Sequence, residues 1–191
     1  MVDSEILDFY GSGTVYALPL AARGHRVHLI DPVSRHVERA RELSRAAEAS
    51  LASAHVGDAR SLGLPACTFD VVLLFGPLYH LPDERDRLDA LAEARRVLVP
   101  GGLLLSSYIS RFAFTTAYFH RPDEIRQEID DVGLQFEDVF AVEGPGWGCE
   151  DLDSWLDDDS AREYLLRVLR RLESEPSLIG ASPHLIAVSR K

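Results

Sequence analysis

The feature that most constrains the fold of this chain is a short apolar segment that leads into a glycine turn, a helix and a second apolar segment. The first segment, 6–9, precedes Gly11 and Gly13, and the second, 27–30, ends at Asp31. Short apolar runs bounded by turn residues are typical of buried parallel strands. A small-residue turn lets a nucleotide-like ligand approach the backbone, and an acid about 20 residues further on can accept hydrogen bonds from ribose hydroxyls. The pattern predicts a nucleotide-type cofactor site.

The same alternation of apolar runs and helical patterns continues to residue 107. Segment 69–75 is nearly all apolar, which is typical of a central parallel strand covered on both faces. Further strands are predicted at 52–56 and 103–107, with helices at 15–23, 34–50 and 82–98. Such repetition predicts an α/β, Rossmann-like doubly wound sheet that is mostly parallel. After residue 107 the rhythm changes, with helices expected near 122–132 and 160–174 and strands near 134–142 and 184–189.

Composition limits the kinds of partner that the chain can have. Its 191 residues, 46% of them hydrophobic, suffice for one substantial core, so a single domain over 1–191 is expected. The formal charge of −11 argues against binding to nucleic acid or to anionic lipid, because both require concentrated positive charge. No apolar run approaches the length of about 20 residues that spans a bilayer. The two cysteines lack metal-ligand or disulfide spacing, so a cytoplasmic protein is predicted.

Five short motifs occur in a fixed order along the chain. They are Asp8 with its glycine turn, Asp31, Gly57-Asp58-Ala59, Phe69-Asp70 and the run 98–102, Leu-Val-Pro-Gly-Gly. Together they resemble the class I S-adenosylmethionine-dependent methyltransferases, in particular small bacterial members, over nearly the whole chain. The resemblance implies a seven-stranded sheet whose last two strands form an antiparallel pair. It also implies S-adenosylmethionine as the cofactor and a small molecule as the methyl acceptor.

The resemblance further implies which residues contact the cofactor. The methionine moiety would lie beside Asp8, Gly11 and Gly13, the ribose on Asp31, and the adenine near Asp58 and Ala59. Carboxylates suit these roles because they accept hydrogen bonds from hydroxyl and amino groups. All three acids also have a structural interpretation. Asp8 could be a buried structural acid bonded to turn amides, Asp31 could cap the helix that follows it, and Asp58 could form an Asp turn after Gly57.

Candidate acceptor-site residues follow the fourth predicted strand, where open parallel sheets bind ligands. His80 is the best candidate for a base, which methyl transfer needs only when the acceptor must lose a proton. Tyr79 is predicted to line the acceptor pocket, and Tyr118 and His120 to face the same cleft. Helix capping and loop packing would explain the last two equally well. The acids at 157–159 are interpreted as a solvated helix start, so no metal site is predicted.

The glycine turn departs from the family pattern in register. Tyr10, Ser12 and Thr14 stand where three glycines are usual, with Gly11 and Gly13 between them. A β-carbon at a position that needs positive φ would cost about 1–3 kcal/mol of strain, whereas a one-residue bulge would restore the usual placement. The two possibilities stay open.

Two further departures concern the cover of the site. The first predicted strand begins about five residues from Met1, where an N-terminal covering helix is usual, and there is little room for a lid insertion after residue 110. We therefore expect an open site, or one completed by the second subunit of a homodimer. The alternatives to an active enzyme are a methyltransferase fold that serves as a binding or oligomerisation module and, ranked last, an NAD(P)-dependent oxidoreductase.

Overall fold

The computed structural model describes residues 4–9, 14–47, 50–110, 118–144 and 152–191. The strands in these ranges are β1 Glu5–Phe9, β2 Arg26–Asp31, β3 Ser53–Val56, β4 Phe69–Leu74, β5 Leu98–Ser110, β6 Phe119–His120, β7 Gln135–Ala141 and β8 His184–Arg190. The helices are α1 Ala17–Ala22, α2 Ser34–Ala46, α3 Pro77–His80, α4 Glu84–Val97, α5 Pro122–Asp131, α6 Leu152–Asp157 and α7 Asp159–Leu172. None of the helices described here is long and apolar enough to cross a membrane.

The strands form one sheet in the order β3-β2-β1-β4-β5-β8-β7, and the two-residue β6 pairs with the end of β5. β1 pairs in parallel with both β2 and β4, and β4 in parallel with β5. β8 lies antiparallel between β5 and β7. The predicted mostly parallel sheet with an antiparallel C-terminal strand pair is therefore confirmed. The short strand β6 is an addition that the sequence pattern did not indicate.

The core has two layers because β1, β2 and β4 are covered on both faces. Ile6 packs with Ala17 of α1 and Val37 of α2 on one face. Leu7, the next residue of β1, packs on the other face in a cluster that includes Leu91 of α4. Successive side chains of a strand point to opposite faces, so a strand covered on both sides must be apolar throughout. This explains the continuous apolar run at 69–75.

The segment Pro100-Gly101-Gly102, which was expected to end a helix, is itself part of β5. Gly101 has a φ of +78°, which side chains disfavour. A β-carbon on Gly102 would lie 2.9 Å from the carbonyl oxygen of Val99. The glycines thus let the chain pass from α4 directly into β5, with a register shift in the pairing of β5 to β4.

The helix limits also differ from those expected. α1 begins at Ala17, so Pro19 falls in its first turn, where a missing amide costs little. α2 ends at Ala46, four residues before the expected end. His80, which was placed in a loop, ends the one-turn helix α3. The six-residue helix α6 was not predicted.

A buried ion pair joins α4 to α5. Nη2 of Arg87 lies 2.7 Å from Oε1 of Glu128, and the two side chains are 2% and 5% exposed. Nε2 of His120, at the end of β6, donates to the other oxygen of Glu128 over 3.2 Å. Burial raises the pKa of Glu128, but the hydrogen bonds from His120 and Arg87 outweigh this effect and hold the pKa below its usual value. The carboxylate is therefore ionised and paired.

We expect Arg87→Met to lower the free energy of unfolding by about 3–5 kcal/mol, because it leaves the charge of Glu128 buried without its strongest partner. The double variant Arg87→Met/Glu128→Gln should recover part of this loss. Arg26→Met is the control, since Arg26 forms an exposed pair with Glu5 and should cost less than about 1 kcal/mol. Urea unfolding measures all three variants, and equal losses for Arg87→Met and Arg26→Met would contradict the interpretation.

Candidate functional site

Asp8 lies at the carboxyl end of β1 and is completely buried. Neither carboxyl oxygen makes a hydrogen bond of ordinary geometry with the residues that the structure describes. Burial raises the pKa of Asp8 to about 7, the amide of Ala17 lowers it, and the charge of Asp31 raises it again. A buried carboxyl with unused acceptor capacity is suited to a cationic or hydrogen-bond-donating ligand.

The glycine turn that follows Asp8 lies outside the described residues, except for Thr14. The residues of the turn that the structure does not describe are Tyr10, Gly11, Ser12 and Gly13. The register of the turn and its contact with the methionine moiety therefore remain predictions.

Asp31, at the end of β2, is also completely buried. Its Oδ1 accepts a hydrogen bond from the amide of Val33 over 2.8 Å, which leads the chain into α2. Nδ1 of His36 lies 3.2 Å from both carboxylate oxygens. Asp31 therefore forms an Asp turn ahead of α2 and is not its cap residue, since the cap position is Val33, which makes no side-chain hydrogen bond. The carboxylate retains capacity to accept further hydrogen bonds, because its two oxygens together offer about four acceptor positions.

Asp58 follows β3 and forms an Asp turn, as its structural interpretation predicted. Its Oδ1 accepts a hydrogen bond from the amide of Arg60 over 2.9 Å, and Oδ2 lies 2.6 Å from Nη2 of Arg60. The hydrogen bond from Arg60 holds the pKa of Asp58 below its usual value. Arg60 also contacts Asp86 of α4, which ties this turn to the helix layer. The next residue, Ala59, is buried.

A cavity of about 200 Å³ lies among these carboxyl-end turns. Asp58 and Ala59 form part of its wall, together with Phe9, Pro32, Pro77 and His80. It sits where the strand order reverses between β1 and β4, the usual ligand position in doubly wound sheets. We call it the cofactor-side cavity.

A second cavity, of about 440 Å³, lies further along the same edge of the sheet and is here called the acceptor-side cavity. Its wall includes Tyr16, Phe75, Tyr79, His80, Glu143 and His184. Tyr16 and Phe75 pack edge to face at 5.0 Å, and the rings of Tyr79 and His80 are 4.7 Å apart. His80 lines both cavities, so it lies at their junction.

The structure does not bring Tyr118 and His120 into the acceptor-side cavity, contrary to the sequence-based expectation. His120 is completely buried, with Tyr108 and Tyr118 each 4.7 Å away, and bonds Glu128. The ring of Tyr118 lies 3.6 Å from the guanidinium carbon of Arg87. The amide of Tyr118 donates to the carbonyl of Tyr79 over 2.9 Å. Glu128 therefore holds the side chain of His120, and Arg87 that of Tyr118. Both residues support the segment after β4 and do not face the acceptor-side cavity.

Sequence reasoning missed four wall residues of the acceptor-side cavity: Tyr16, Phe75, Glu143 and His184. A usable signal existed for the last two. The predicted antiparallel pair places the end of β7 and the start of β8 at the same sheet edge as the carboxyl ends of the parallel strands. The connection between the two strands therefore had to emerge beside the acceptor site.

The chain matches the family model described as "Methyltransferase domain" over residues 7–106, which is just over half of its length. Similar solved structures include a SAM-dependent methyltransferase from Methanosarcina mazei, with a TM-score of 0.72, 17% identity and coverage of 100% of this chain and 93% of that one. The CcbJ methyltransferase from Streptomyces caelestis gives a TM-score of 0.71 at 15% identity, covering 99% and 84%. A methyltransferase from Mesorhizobium loti gives 0.69 at 15%, covering 99% and 91%. No curated protein matches at a significant level.

At these identities the structural likeness shows the fold, whereas the family match covers the segment that carries both Asp8 and Asp31. The fold and the site together define a class I methyltransferase, as the motifs predicted. The chain belongs to the methyltransferase-domain family, and S-adenosylmethionine is the cofactor that this membership implies.

The raised pKa of Asp8 predicts a specific pH dependence of stability. The folded protein binds this proton more tightly than the unfolded chain does, so stability falls as the pH rises from the ordinary pKa of 3.8 to about 7. Asp8→Asn removes the ionisation, and we expect its stability relative to the wild type to rise between about pH 4 and pH 7, by at most on the order of 4 kcal/mol, and to level off above pH 7. Asp89→Asn, at an exposed position of α4, is the control. Thermal unfolding without cofactor measures the effect, and curves for Asp8→Asn that run parallel to the wild type would refute it.

Proposed function

We propose that this protein transfers the methyl group of S-adenosylmethionine to a small molecule held in the acceptor-side cavity. One observation carries the proposal: two cavities at the carboxyl edge of the sheet adjoin at His80. Methyl transfer is an in-line displacement in which positioning supplies most of the rate. Two adjoining cavities that share one wall residue suit a reaction in which a methyl group passes from one bound molecule to another.

The acids at the carboxyl ends of β1, β2 and β3, which lie in or next to the residues of the cofactor-side cavity, fit the charge and polarity of the cofactor. Asp8 would accept hydrogen bonds from the methionine amino group, next to the turn of Gly11 and Gly13. Asp31 would accept the ribose hydroxyls, and the 58–59 segment would border the adenine. Burial and, to a smaller extent, the charge of Asp31 raise the pKa of Asp8, and a cationic cofactor would offset both effects. When bound, the cofactor supplies an electrophilic methyl group.

His80 is the proposed catalytic residue because of its place at the junction of the cavities. There it would accept a proton from an acceptor that must lose one during transfer. Tyr79, which packs beside it, would contact the body of the acceptor. Arg87 would act as a positioning residue, since its guanidinium donates to the carbonyls of Leu81 and Pro82 directly after His80.

The proposed setting is the bacterial cytoplasm, with a small-molecule substrate and without a nucleic-acid or membrane partner. The formal charge of −11 supports the exclusion of polyanionic partners. Val15 and Tyr16, beside the acceptor-side cavity, are 62% and 44% exposed. Their exposure is compatible with a homodimer in which a second subunit covers this edge.

Calorimetric titration with S-adenosylhomocysteine tests the proposal. We expect saturable binding to the wild type and a loss of roughly tenfold or more in Asp31→Asn, because a hydrogen bond to a charged acceptor is worth about 1.5–3 kcal/mol. The asparagine keeps an oxygen that can accept from Val33, so the start of α2 should survive. Asp89→Asn should bind like the wild type.

If millimolar S-adenosylhomocysteine gave no binding heat and no thermal shift, the enzyme assignment would be removed. That result would favour the alternative of a fold retained as a binding or oligomerisation module.

A further inference from the structure

Glu143 and His184 form a hydrogen-bonded pair in the wall of the acceptor-side cavity, 41 residues apart in sequence. Nδ1 of His184 lies 2.5 Å from Oε1 of Glu143. Oε2 of Glu143 accepts from the hydroxyl of Ser182 over 3.0 Å and from the amide of His184 over 3.2 Å. Ser182 is itself completely buried. The carboxylate is therefore held on both oxygens, and it fixes the imidazole that it contacts.

This arrangement determines which atom of the pair is available to a ligand. A carboxylate only accepts hydrogen bonds, so Nδ1 of His184 carries the donated hydrogen. In the neutral imidazole the other nitrogen, Nε2, is then an acceptor. Within the described part of the chain Nε2 makes no hydrogen bond, and the His184 side chain is 52% exposed. The pair thus offers one oriented acceptor, suited to a ligand group that donates a single hydrogen.

The pair is too far from the cofactor side to act on the transferred methyl group. β8 is separated from β4 by β5, so His184 lies two strand spacings, or about 10 Å, from the strand that leads to His80. The rest of the wall is formed by the aromatic rings of Tyr16, Phe75 and Tyr79, by aliphatic side chains and by one small polar residue, Ser107 of β5. An acceptor that reaches from His80 to His184 is therefore elongated and mostly apolar in its middle.

Charge narrows the class of acceptor further. Among the described wall residues there is no Arg or Lys to pair with an anion, and Glu143 would repel one. The hydrogen bonds from Ser182 and His184 leave Glu143 at most one further acceptor position, so the imidazole is the group of the pair that is more available to a ligand. A neutral hydroxyl is the group that matches an imidazole acceptor at the end of an apolar cavity.

Resting on the proposed function, we infer that Glu143 and His184 select the acceptor: they bind a hydroxyl at the end of the molecule remote from the methylated atom. Nε2 of His184 accepts the hydrogen bond, and Glu143 fixes the imidazole tautomer by accepting from Nδ1. The acceptor class is a neutral compound with an apolar, ring-compatible body and a terminal hydroxyl.

The test compares two probes, 4-ethylphenol and its methyl ether 4-ethylanisole, on the protein saturated with S-adenosylhomocysteine. The probes share a ring, but only the phenol donates a hydrogen bond. Ligand-detected NMR measures their dissociation constants. We expect about tenfold tighter binding of the phenol to the wild type, the worth of one net hydrogen bond.

Two variants remove the acceptor in different ways. His184→Phe keeps a ring and removes Nε2, and Glu143→Gln allows an amide donor to reverse the tautomer of His184. In both, the preference for the phenol should fall to about twofold or less. His55→Phe is the matched control, an exposed histidine on the edge strand β3, and it should keep the tenfold preference.

A purely structural pair at the ends of β7 and β8 would lower Tm in His184→Phe and Glu143→Gln without changing the ratio of the two dissociation constants. Equal affinities of the wild type for the two probes, or no saturable binding of either, would overturn the inference. Titration of each variant with S-adenosylhomocysteine reports the cofactor site separately. Intact binding there with no phenol preference defeats the inference alone, whereas absent binding defeats the proposed function.

Discussion

The parallel pairing of β1 with both β2 and β4 is the constraint on which the rest of the structure depends. From β1 the chain runs in one direction across the sheet to β2 and β3, and it later returns beside β1 to build β4 and β5 in the other direction. The strand order therefore reverses between β1 and β4, and doubly wound sheets have their ligand crevice at such a point. Asp8, near the end of β1, and His80, in the segment after β4, both belong to this part of the sheet edge.

This arrangement requires polar side chains to be buried beneath the crevice, which is energetically unfavourable. Parallel strands buried on both faces leave little room for polar groups, yet β1 and β2 each end in a buried aspartate. A different set of contacts, made by Arg87, holds the segment that follows β4. Arg87 bonds the carbonyls of this segment, packs on Tyr118 and pairs with Glu128 of α5, so a buried charge network fixes the segment that carries His80. Folding stability and the shape of the site thus depend on the same side chains.

Much of the fold was predictable because its signals are local. The apolar run of β4 and the acid that ends β2 each follow from a few adjacent residues. The misplacement of His120 had a different origin, since its environment is set by Glu128 and Tyr108, which no local pattern connects to it. The pair of Glu143 and His184 depends on the antiparallel return of β8, a long-range feature. The positions of residues at strand ends could thus be predicted from sequence, whereas the surroundings of residues that contact distant partners could not.

The division of the site along the chain has a consequence for how such a protein can diversify. Every wall residue of the cofactor-side cavity lies within 7–106, the stretch that the family model matches, whereas Glu143 and His184 lie beyond it. On the proposed function, changes in the last third of the chain would alter which acceptor is admitted without touching the residues that border the cofactor-side cavity. Two relatives with nearly identical first halves would then not need to share a substrate.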